Sequence, residues 1–191
     1  MTPTAALLLT PGAGADRNQS ALVAIDERLA AMDIVVERMD FPYRLAGRKA
    51  PDRPPVLLAA VREGAAALAS RTGLPPERIA LGGRSMGGRM CSMAVAEGLR
   101  ALALVLVSYP LHPPGKPDQL RIEHFPKLDL PCVFVSGTRD TFGTPAELEA
   151  ATKAIPGPVT RHFLEGGDHG LRRKDADVAS LVAQAMQNLL A

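Results

Sequence analysis

The chain has 191 residues, a length that supports one domain with a hydrophobic core and is short for two. Hydrophobic residues make up 47% of it and charged residues 22%, as in ordinary globular proteins, and the absence of Trp predicts a core built mainly from Ala, Leu, Val and Met. The formal net charge of +2 gives no reason to expect nucleic acid or an anionic membrane as partner. We therefore expect a single globular domain over residues 1–191.

The first predicted element lies in the N-terminal sequence MTPTAALLLTPGAG. Its apolar run has no basic residues before it and is too short to cross a bilayer, so it is predicted to be a strand rather than a signal or anchor. Cys91 and Cys132 do not make a disulfide framework, and both are expected to be small core residues in a reducing compartment. These features predict a cytoplasmic protein.

Short apolar runs alternate with amphipathic, Ala-rich stretches along the whole chain. The predicted strands are Ala5–Leu9, Ile34–Met39, Ile79–Gly82, Ala103–Val107, Val133–Ser136 and Val159–Leu164. The predicted helices are Arg17–Ala31, Pro55–Thr72, Met86–Glu97, Pro145–Ala154 and Asp175–Leu190. Thr144 and Glu147 have the spacing of a capping box at the start of the fourth helix. The alternation is typical of the α/β class, here a three-layer α/β/α sandwich with a largely parallel six-stranded sheet.

The segment Tyr109–Pro117, YPLHPPGKP, contains too much proline for a helix or a central strand. It follows the fourth predicted strand, and loops at the carboxyl ends of parallel strands surround the ligand crevice of open α/β sheets. The segment therefore either lines a binding site or serves as a rigid connector. Tyr109 and His112 are candidate substrate-pocket residues, with an ordinary loop histidine as the alternative for His112.

The most informative motif is Gly83-Arg84-Ser85-Met86-Gly87, an instance of the G-x-S-x-G pattern. It lies between an apolar strand and an Ala/Met-rich helix, the context in which this pattern forms a nucleophile elbow. The glycines remove side chains that would collide in so sharp a turn, and the helix N-terminus favours the negative charge that develops in acyl transfer. We predict that Ser85 is a nucleophile; the alternative is a plain Gly-rich turn between a strand and a helix.

A serine hydroxyl becomes an effective nucleophile only when a base removes its proton. His169 lies in the Gly-rich sequence GGDHG, after the last predicted strand, where a histidine has little packing function. By contrast, His162 lies inside a predicted strand and His124 approaches one, so both are expected to be structural or surface residues. His169 is therefore the predicted base.

The third residue of such a site is an acid between the serine and the histidine in chain order. Asp140 follows the fifth predicted strand in GTRD, which places it at the same sheet edge as Ser85 and His169; the alternative is a solvated turn aspartate. Asp168 is adjacent to His169, but neighbouring side chains in an extended segment point in opposite directions. It is expected instead to bond to nearby backbone N–H groups in a turn.

Hydrolases of this kind stabilise the oxyanion with two backbone N–H groups, one of them from the residue after the nucleophile. That residue is Met86. The second donor is expected from the loop after the first strand, 10–14, with Ala13 as the candidate and a plain tight turn as the alternative.

The segments LTPGAGADRN, GGRSMGG, YPLHPPGKP, GTRDTFG and GGDHGL resemble those of dienelactone-hydrolase-related α/β-hydrolases. More narrowly they resemble the subgroup with bacterial predicted hydrolases and the NSL-complex-subunit and testis-expressed-protein relatives. The resemblance spans nearly the whole chain, and YPLHPPGKP is its most specific element. It implies Ser85, Asp140 and His169 as a catalytic triad, with Met86 and Ala13 around the oxyanion.

One position departs from the pattern of these relatives. They usually carry His-Gly where this chain has Pro11-Gly12, and that histidine braces the oxyanion loop; a proline would stiffen the turn instead. The first strand is expected to lead directly into this loop, without the antiparallel hairpin of larger hydrolases. The stretch between Ala103 and Asp140 is too short for a helical lid, so a lidless α/β-hydrolase fold is expected.

The predicted function is hydrolysis of a small carboxylic ester or thioester through an acyl-enzyme on Ser85, with no metal or organic cofactor. No nucleic-acid or membrane partner is expected, and the sequence does not indicate an oligomeric state. A non-catalytic interaction protein that retains the hydrolase fold is the alternative from another class. Lyase or perhydrolase chemistry would use the same residues.

Overall fold

The computed structural model describes residues 3–191; Met1 and Thr2, the first two residues of the predicted domain, lie outside the described residues. Within that range the chain forms six strands: Ala5–Thr10 (β1), Ile34–Arg38 (β2), Ile79–Arg84 (β3), Leu104–Val107 (β4), Cys132–Gly137 (β5) and Val159–Leu164 (β6). Its α-helices are Ser20–Ala30 (α1), Pro42–Leu45 (α2), Pro54–Thr72 (α3), Met86–Ala96 (α4), Pro145–Ala151 (α5) and Asp175–Leu190 (α6). Short 3₁₀ turns occupy Pro76–Arg78, Phe125–Lys127 and Thr152–Ala154.

The predicted strands and helices are all present; Val159–Leu164 and Asp175–Leu190 have the predicted ends, and the others differ by up to a few residues. The first helix begins at Ser20 instead of Arg17, because Asp16 forms a turn in which its carboxylate accepts a hydrogen bond from Asn18 N (2.9 Å). The predicted capping box is present: the Thr144 hydroxyl accepts from Glu147 N, and the Glu147 carboxylate accepts from Thr144 N (2.8 Å). The short helix α2 was not predicted.

All the strand pairs of the sheet are parallel, in the order β2-β1-β3-β4-β5-β6. The predicted largely parallel sheet is therefore confirmed. The chain leaves β1 in one direction to form β2 and returns on the other side of β1 to form β3. This reversal opens a crevice at the carboxyl ends of β1 and β3, where ligands bind in open α/β sheets.

Each face of the sheet is covered by helices, which gives the predicted three layers. One core cluster joins β1 side chains such as Leu7 and Leu9 to α1 and α6, and the other joins Leu8 to α3, α4 and α5. The alternation along β1 follows from the two-residue period of a strand. Every residue of β1 is buried, as expected for a central strand of a parallel sheet.

The composition of the core differs from the expectation in one respect. The largest fully buried side chains include aromatic residues: Phe41, Tyr43, Tyr109, Phe125 and Phe134. The last three pack against one another with ring centroids 5.4 to 6.3 Å apart. Scarce aromatics thus fill the largest interior spaces.

Both cysteines are buried and free, as predicted for small core residues. Burial raises the pKa of the Cys91 thiol to about 12 and that of Cys132 to about 12. Across residues 3–191, none of the helices combines the length and the hydropathy needed to cross a bilayer.

Candidate active site

Ser85 occupies the turn between β3 and α4 in a conformation that side chains rarely adopt, with φ 51° and ψ −118°. Such strain persists only where the surroundings impose it. Here Ser85 N donates to Val107 O (2.8 Å) and Ser85 O accepts from Arg89 N (3.1 Å), so the turn is held on both sides. The serine side chain therefore lies at the carboxyl edge of the sheet, at the N-terminus of α4.

The glycines of the motif are required by one neighbour, the end of β1. A Cβ on Gly83 would overlap the Thr10 hydroxyl and carbonyl, and a Cβ on Gly87 would lie 2.5 Å from the same two Thr10 oxygens. These overlaps involve backbone, which cannot move aside cheaply. The crowding predicted from the motif is present, and its source is the adjacent strand.

The three residues predicted to carry the chemistry form a continuous hydrogen-bonded chain. Ser85 Oγ lies 2.9 Å from His169 Nε2, and His169 Nδ1 lies 2.9 Å from each carboxylate oxygen of Asp140. The His169 side chain is 19% exposed and that of Asp140 only 1%. The arrangement has the connectivity by which a carboxylate orients a histidine and the histidine accepts a serine proton.

Asp140 and Phe142 together set the position of the His169 ring. Phe142 N donates to Asp140 Oδ1 (2.8 Å), which fixes the carboxylate, and the Phe142 ring stacks on the imidazole with centroids 3.9 Å apart. Sequence reasoning missed Phe142, although its position two residues after the predicted acid was a usable signal.

The loops that carry the acid and the histidine are also joined through their backbones. Arg139 N donates to Gly167 O (2.8 Å), and Gly166 N donates to the Thr138 hydroxyl (2.8 Å). The Arg84 guanidinium donates to His169 O (2.5 Å) from the other side. The histidine loop is therefore held by the acid loop and by the residue that precedes the serine.

Asp168 does not orient His169. Its side chain is exposed and makes no hydrogen bond within residues 3–191, and only its backbone oxygen is used, by Leu171 N (3.0 Å). The expected turn is present, but the expected side-chain bonds to nearby N–H groups are not.

Two backbone N–H groups beside Ser85 are available to a ligand. Met86 N and Ala13 N both belong to residues that line the Ser85 cavity, and neither donates a hydrogen bond to residues 3–191. Unpaired N–H groups at a helix N-terminus and in an adjacent loop are the donors that an oxyanion needs. The structure thus places the two predicted donor residues in the same cavity as the serine.

The loop of Ala13 is braced on both sides of that residue. Gly12 N donates to Gln19 Oε1 (3.0 Å), and Gly14 N donates to the Tyr43 hydroxyl (3.2 Å). These two side chains support a loop that carries Pro11 where relatives usually carry histidine. Sequence reasoning missed both, because Gln19 precedes a helix and Tyr43 comes from the short α2.

A cavity of about 470 Å³ opens at Ser85. The lining residues are Gly12, Ala13, Arg84, Ser85, Met86, Arg89, Pro110, Arg121, Phe142 and His169. The Tyr109–Pro117 segment therefore does reach the site, but through Pro110.

Tyr109 and His112, the candidate pocket residues, do not line this cavity. The Tyr109 side chain is buried and donates to Arg121 O (2.7 Å), and burial raises its pKa. His112 is 5% exposed, with Nδ1 2.8 Å from Pro113 O and Nε2 3.5 Å from the Glu147 carboxylate. Both turn inward and fold the proline-rich segment instead of contacting the cavity.

A second serine–histidine pair lies away from the cavity lining. Ser92 Oγ is 2.7 Å from His124 Nε2, but His124 makes no hydrogen bond to a carboxylate among residues 3–191. Burial lowers the pKa of His124 to about 4, and the nearby Arg89 charge adds to this. The pair has a structural setting, as predicted for His124.

Three arginines in the cavity lining were not among the predicted site residues: Arg84, Arg89 and Arg121. Burial lowers the pKa of Arg84, although the nearby negative charge of Asp140 raises it in part. Burial also lowers the pKa of Arg121, and the proximity of Arg89 lowers it further. The described residues contain no group of three or more His, Cys, Asp or Glu side chains arranged to hold a metal ion.

Solved structures with the same fold include several hydrolases. An alpha-beta serine hydrolase homologue from Coxiella burnetii superposes with a TM-score of 0.79 at 15% identity, over 97% of this chain and 86% of that chain. Est1E from Butyrivibrio proteoclasticus gives 0.79 at 15% identity, over 99% and 89%. Dienelactone hydrolase from Anabaena variabilis gives 0.76 at 18% identity, over 97% and 87%. At these identities the likeness concerns the fold.

The family model for the alpha/beta hydrolase domain matches residues 3–191, the whole of the described chain. The predicted α/β-hydrolase fold, with its six-stranded parallel sheet and flanking helices, is confirmed by this match and by the solved structures. The chain belongs to the alpha/beta-hydrolase family.

Proposed function

We propose that the protein is a serine hydrolase that cleaves a small carboxylic ester or thioester through an acyl-enzyme on Ser85. The observation that carries the proposal is the hydrogen-bonded chain from Ser85 through His169 to a buried Asp140. It lies beside a cavity whose lining includes two residues with backbone N–H groups that donate to nothing within residues 3–191. A chain that used the fold only for contact would have no need for a strained serine in this setting.

In the proposed mechanism, Asp140 accepts a hydrogen bond from the Nδ1–H of His169, which leaves the Nε2 lone pair facing Ser85 Oγ. Ser85 Oγ bonds to the carbonyl carbon of the substrate as its proton passes to Nε2. The carbonyl oxygen becomes an oxyanion, which accepts hydrogen bonds from Met86 N and Ala13 N. Asp140 stabilises the imidazolium by its negative charge.

The tetrahedral intermediate then collapses. The carbon–oxygen or carbon–sulfur bond to the leaving group breaks, and the Nε2 proton of His169 is transferred to the departing atom. Water enters and gives a proton to Nε2 as its oxygen attacks the acyl carbon. A second collapse releases the carboxylic acid and returns the proton to Ser85 Oγ. The free enzyme is regenerated, and none of the proposed steps uses a cofactor.

Further features of the proposal rest on the sequence. Within the dienelactone-hydrolase-related proteins we place the chain beside the NSL-complex-subunit and testis-expressed-protein relatives, on the strength of YPLHPPGKP. We also propose a single domain over 1–191, a cytoplasmic location, and a small-molecule substrate as the only ligand.

A fluorophosphonate probe tests the nucleophile directly. We expect the wild-type protein to be labelled on Ser85 alone, and Ser85→Ala to lose all labelling while its melting temperature stays close to that of the wild type. Ser92→Ala serves as the matched control, because Ser92 also contacts a histidine, and it should still be labelled. Wild-type protein that resists the probe, or labelling that survives Ser85→Ala, would favour the interaction protein instead.

A further inference from the structure

The cavity at Ser85 carries an unbalanced positive charge. Arg84, Arg89 and Arg121 contribute to its lining, and no Asp or Glu does so among residues 3–191. Asp140 is hydrogen-bonded to His169 and is almost fully buried. A substrate that enters the cavity therefore meets guanidinium groups beside the serine.

Among residues 3–191, only Arg84 of the three arginines has a partner for its guanidinium group. Arg84 donates to His169 O and so belongs to the support of the histidine loop. The guanidinium groups of Arg89 and Arg121 make no hydrogen bond or ion pair with residues 3–191, and Arg89 Nε is buried without an acceptor. Partly buried charges are normally paired, because an unpaired one has lost hydration without compensation.

The backbones of both residues are fixed close to the nucleophile. Arg89 lies in the first turn of α4, where its N donates to Ser85 O (3.1 Å), and both residues line the cavity. Arg121 is held by its backbone on both sides, since its N donates to Leu111 O (2.8 Å) and its O accepts from the Tyr109 hydroxyl (2.7 Å). This is the role that the inward-turned Tyr109 performs.

The guanidinium group of Arg121 lies in the field of another positive charge. Arg89 and Arg121 both line the same cavity, and the charge of Arg89 lowers the pKa of Arg121 in addition to the effect of burial. A bound anion would remove this repulsion and supply the missing acceptors. Planar guanidinium groups bind carboxylate and phosphate oxygens in pairs, which also fixes the orientation of the ligand.

We infer that the preferred substrates are esters or thioesters that carry an anionic carboxylate or phosphate group, which Arg89 and Arg121 bind while Ser85 attacks the carbonyl. The inference rests on the hydrolase activity proposed above and adds the class of substrate. In it, Arg89 and Arg121 determine specificity, and Arg84 positions His169.

The test compares esters that share a leaving group and differ in charge. The p-nitrophenyl monoester of glutaric acid carries a carboxylate at the end of its acyl chain, p-nitrophenyl valerate is the neutral counterpart, and the 4-phosphonobutanoate ester presents a phosphate-like group. We expect kcat/KM for at least one anionic ester to exceed that for valerate by about tenfold to a hundredfold, the range of charge-assisted hydrogen bonds. The larger of the two ratios identifies the preferred anion.

Substitutions of the cavity arginines test whether these residues cause the preference for anionic esters. Arg89→Gln and Arg121→Gln should each lower the anionic-to-neutral ratio about tenfold, mainly through KM, and Arg89→Lys should retain part of it because the charge remains. Arg78→Gln is the matched control. Arg78 is exposed and lies just before β3, at the opposite edge of the sheet from Ser85, so its substitution should leave the ratio unchanged.

Two results would overturn the inference. One is a wild-type ratio within threefold of unity for both anionic esters, and the other is a ratio that neither Arg89→Gln nor Arg121→Gln lowers. Fluorophosphonate labelling of Ser85 in the same samples shows whether the hydrolase proposal still stands. If the protein is neither labelled nor active, calorimetric titration with glutarate and inorganic phosphate decides the point: binding that Arg89→Gln abolishes supports the anion site, and no binding refutes it.

Discussion

Replacing Asp140 by asparagine isolates one hydrogen bond of the Ser85–His169–Asp140 chain. Both Asp140 oxygens lie 2.9 Å from His169 Nδ1, and Oδ1 also accepts from Phe142 N (2.8 Å). In the variant, the amide oxygen would keep the bond to Phe142, which turns the NH₂ group toward Nδ1. Nδ1 must then accept a proton instead of donating one, so the proton of the neutral imidazole moves to Nε2.

The consequence for catalysis follows from that tautomer. With Nε2 protonated, His169 donates to Ser85 Oγ and cannot remove its proton. We expect kcat to fall by about 10³ to 10⁴, or about 4 to 5.5 kcal/mol of transition-state stabilisation. The side-chain shape is retained, so the melting temperature should change little.

The assay is the steady-state hydrolysis of p-nitrophenyl acetate, together with the rate of fluorophosphonate labelling and a thermal melt. Asp168→Asn is the matched control, because Asp168 is adjacent to His169 in sequence but is exposed and makes no side-chain hydrogen bond within residues 3–191. It should keep activity within a fewfold of the wild type. Equal losses for the two variants, or a greater loss for Asp168→Asn, would refute the assignment of the orienting acid.

Three further outcomes are expected. With a cavity of about 470 Å³, p-nitrophenyl acetate and butyrate should be cleaved more efficiently than the decanoate. The distal methylenes of the decanoate would stay in water and gain none of the ~0.8 kcal/mol of binding free energy that each buried methylene contributes; a rate that rises steadily with chain length would contradict this. Gly83→Ala should lower the free energy of unfolding by about 1 to 3 kcal/mol or more, because the added Cβ overlaps Thr10. The control Gly12→Ala, whose added Cβ has its nearest contact at 3.6 Å, should melt close to the wild type. Burial lowers the pKa of His124 to about 4, so as the pH falls the unfolded chain binds a proton at this histidine before the folded chain does. The free energy of unfolding should therefore be unaffected by His124 above about pH 6.5 and should fall by on the order of 1 kcal/mol toward pH 4. Urea melts at several pH values test this, and an equally steep fall in His124→Gln would show that His124 does not cause it.

Much of the site could be predicted from the sequence because it depends on regular elements. Strand and helix periods gave the order of elements, and the carboxyl ends of parallel strands meet at one edge. Ser85, Asp140 and His169 each follow a different strand, so their meeting there was a consequence of the sheet. The G-x-S-x-G motif indicated a strained turn, and Ser85 has the positive φ that such a turn requires.

Other residues of the site depend on irregular backbone, and only the tertiary structure places them. Tyr109 and His112 were candidates for the pocket, but their segment folds so that Pro110 reaches the cavity. Arg121 lies in the same region and enters the cavity because its backbone bonds to Leu111 and Tyr109. A proline-rich loop has no repeating period, so its sequence does not say which side chains face inward.

The contacts that support the oxyanion loop also depend on the tertiary structure. Gln19 and Tyr43 belong to different segments and bond to backbone N–H groups on either side of Ala13. The sequence by itself determined the fold, the strained serine and the three strand ends that meet around it. The tertiary structure decided which loop side chains support and charge the cavity, because those contacts join segments far apart in the chain and follow no local pattern.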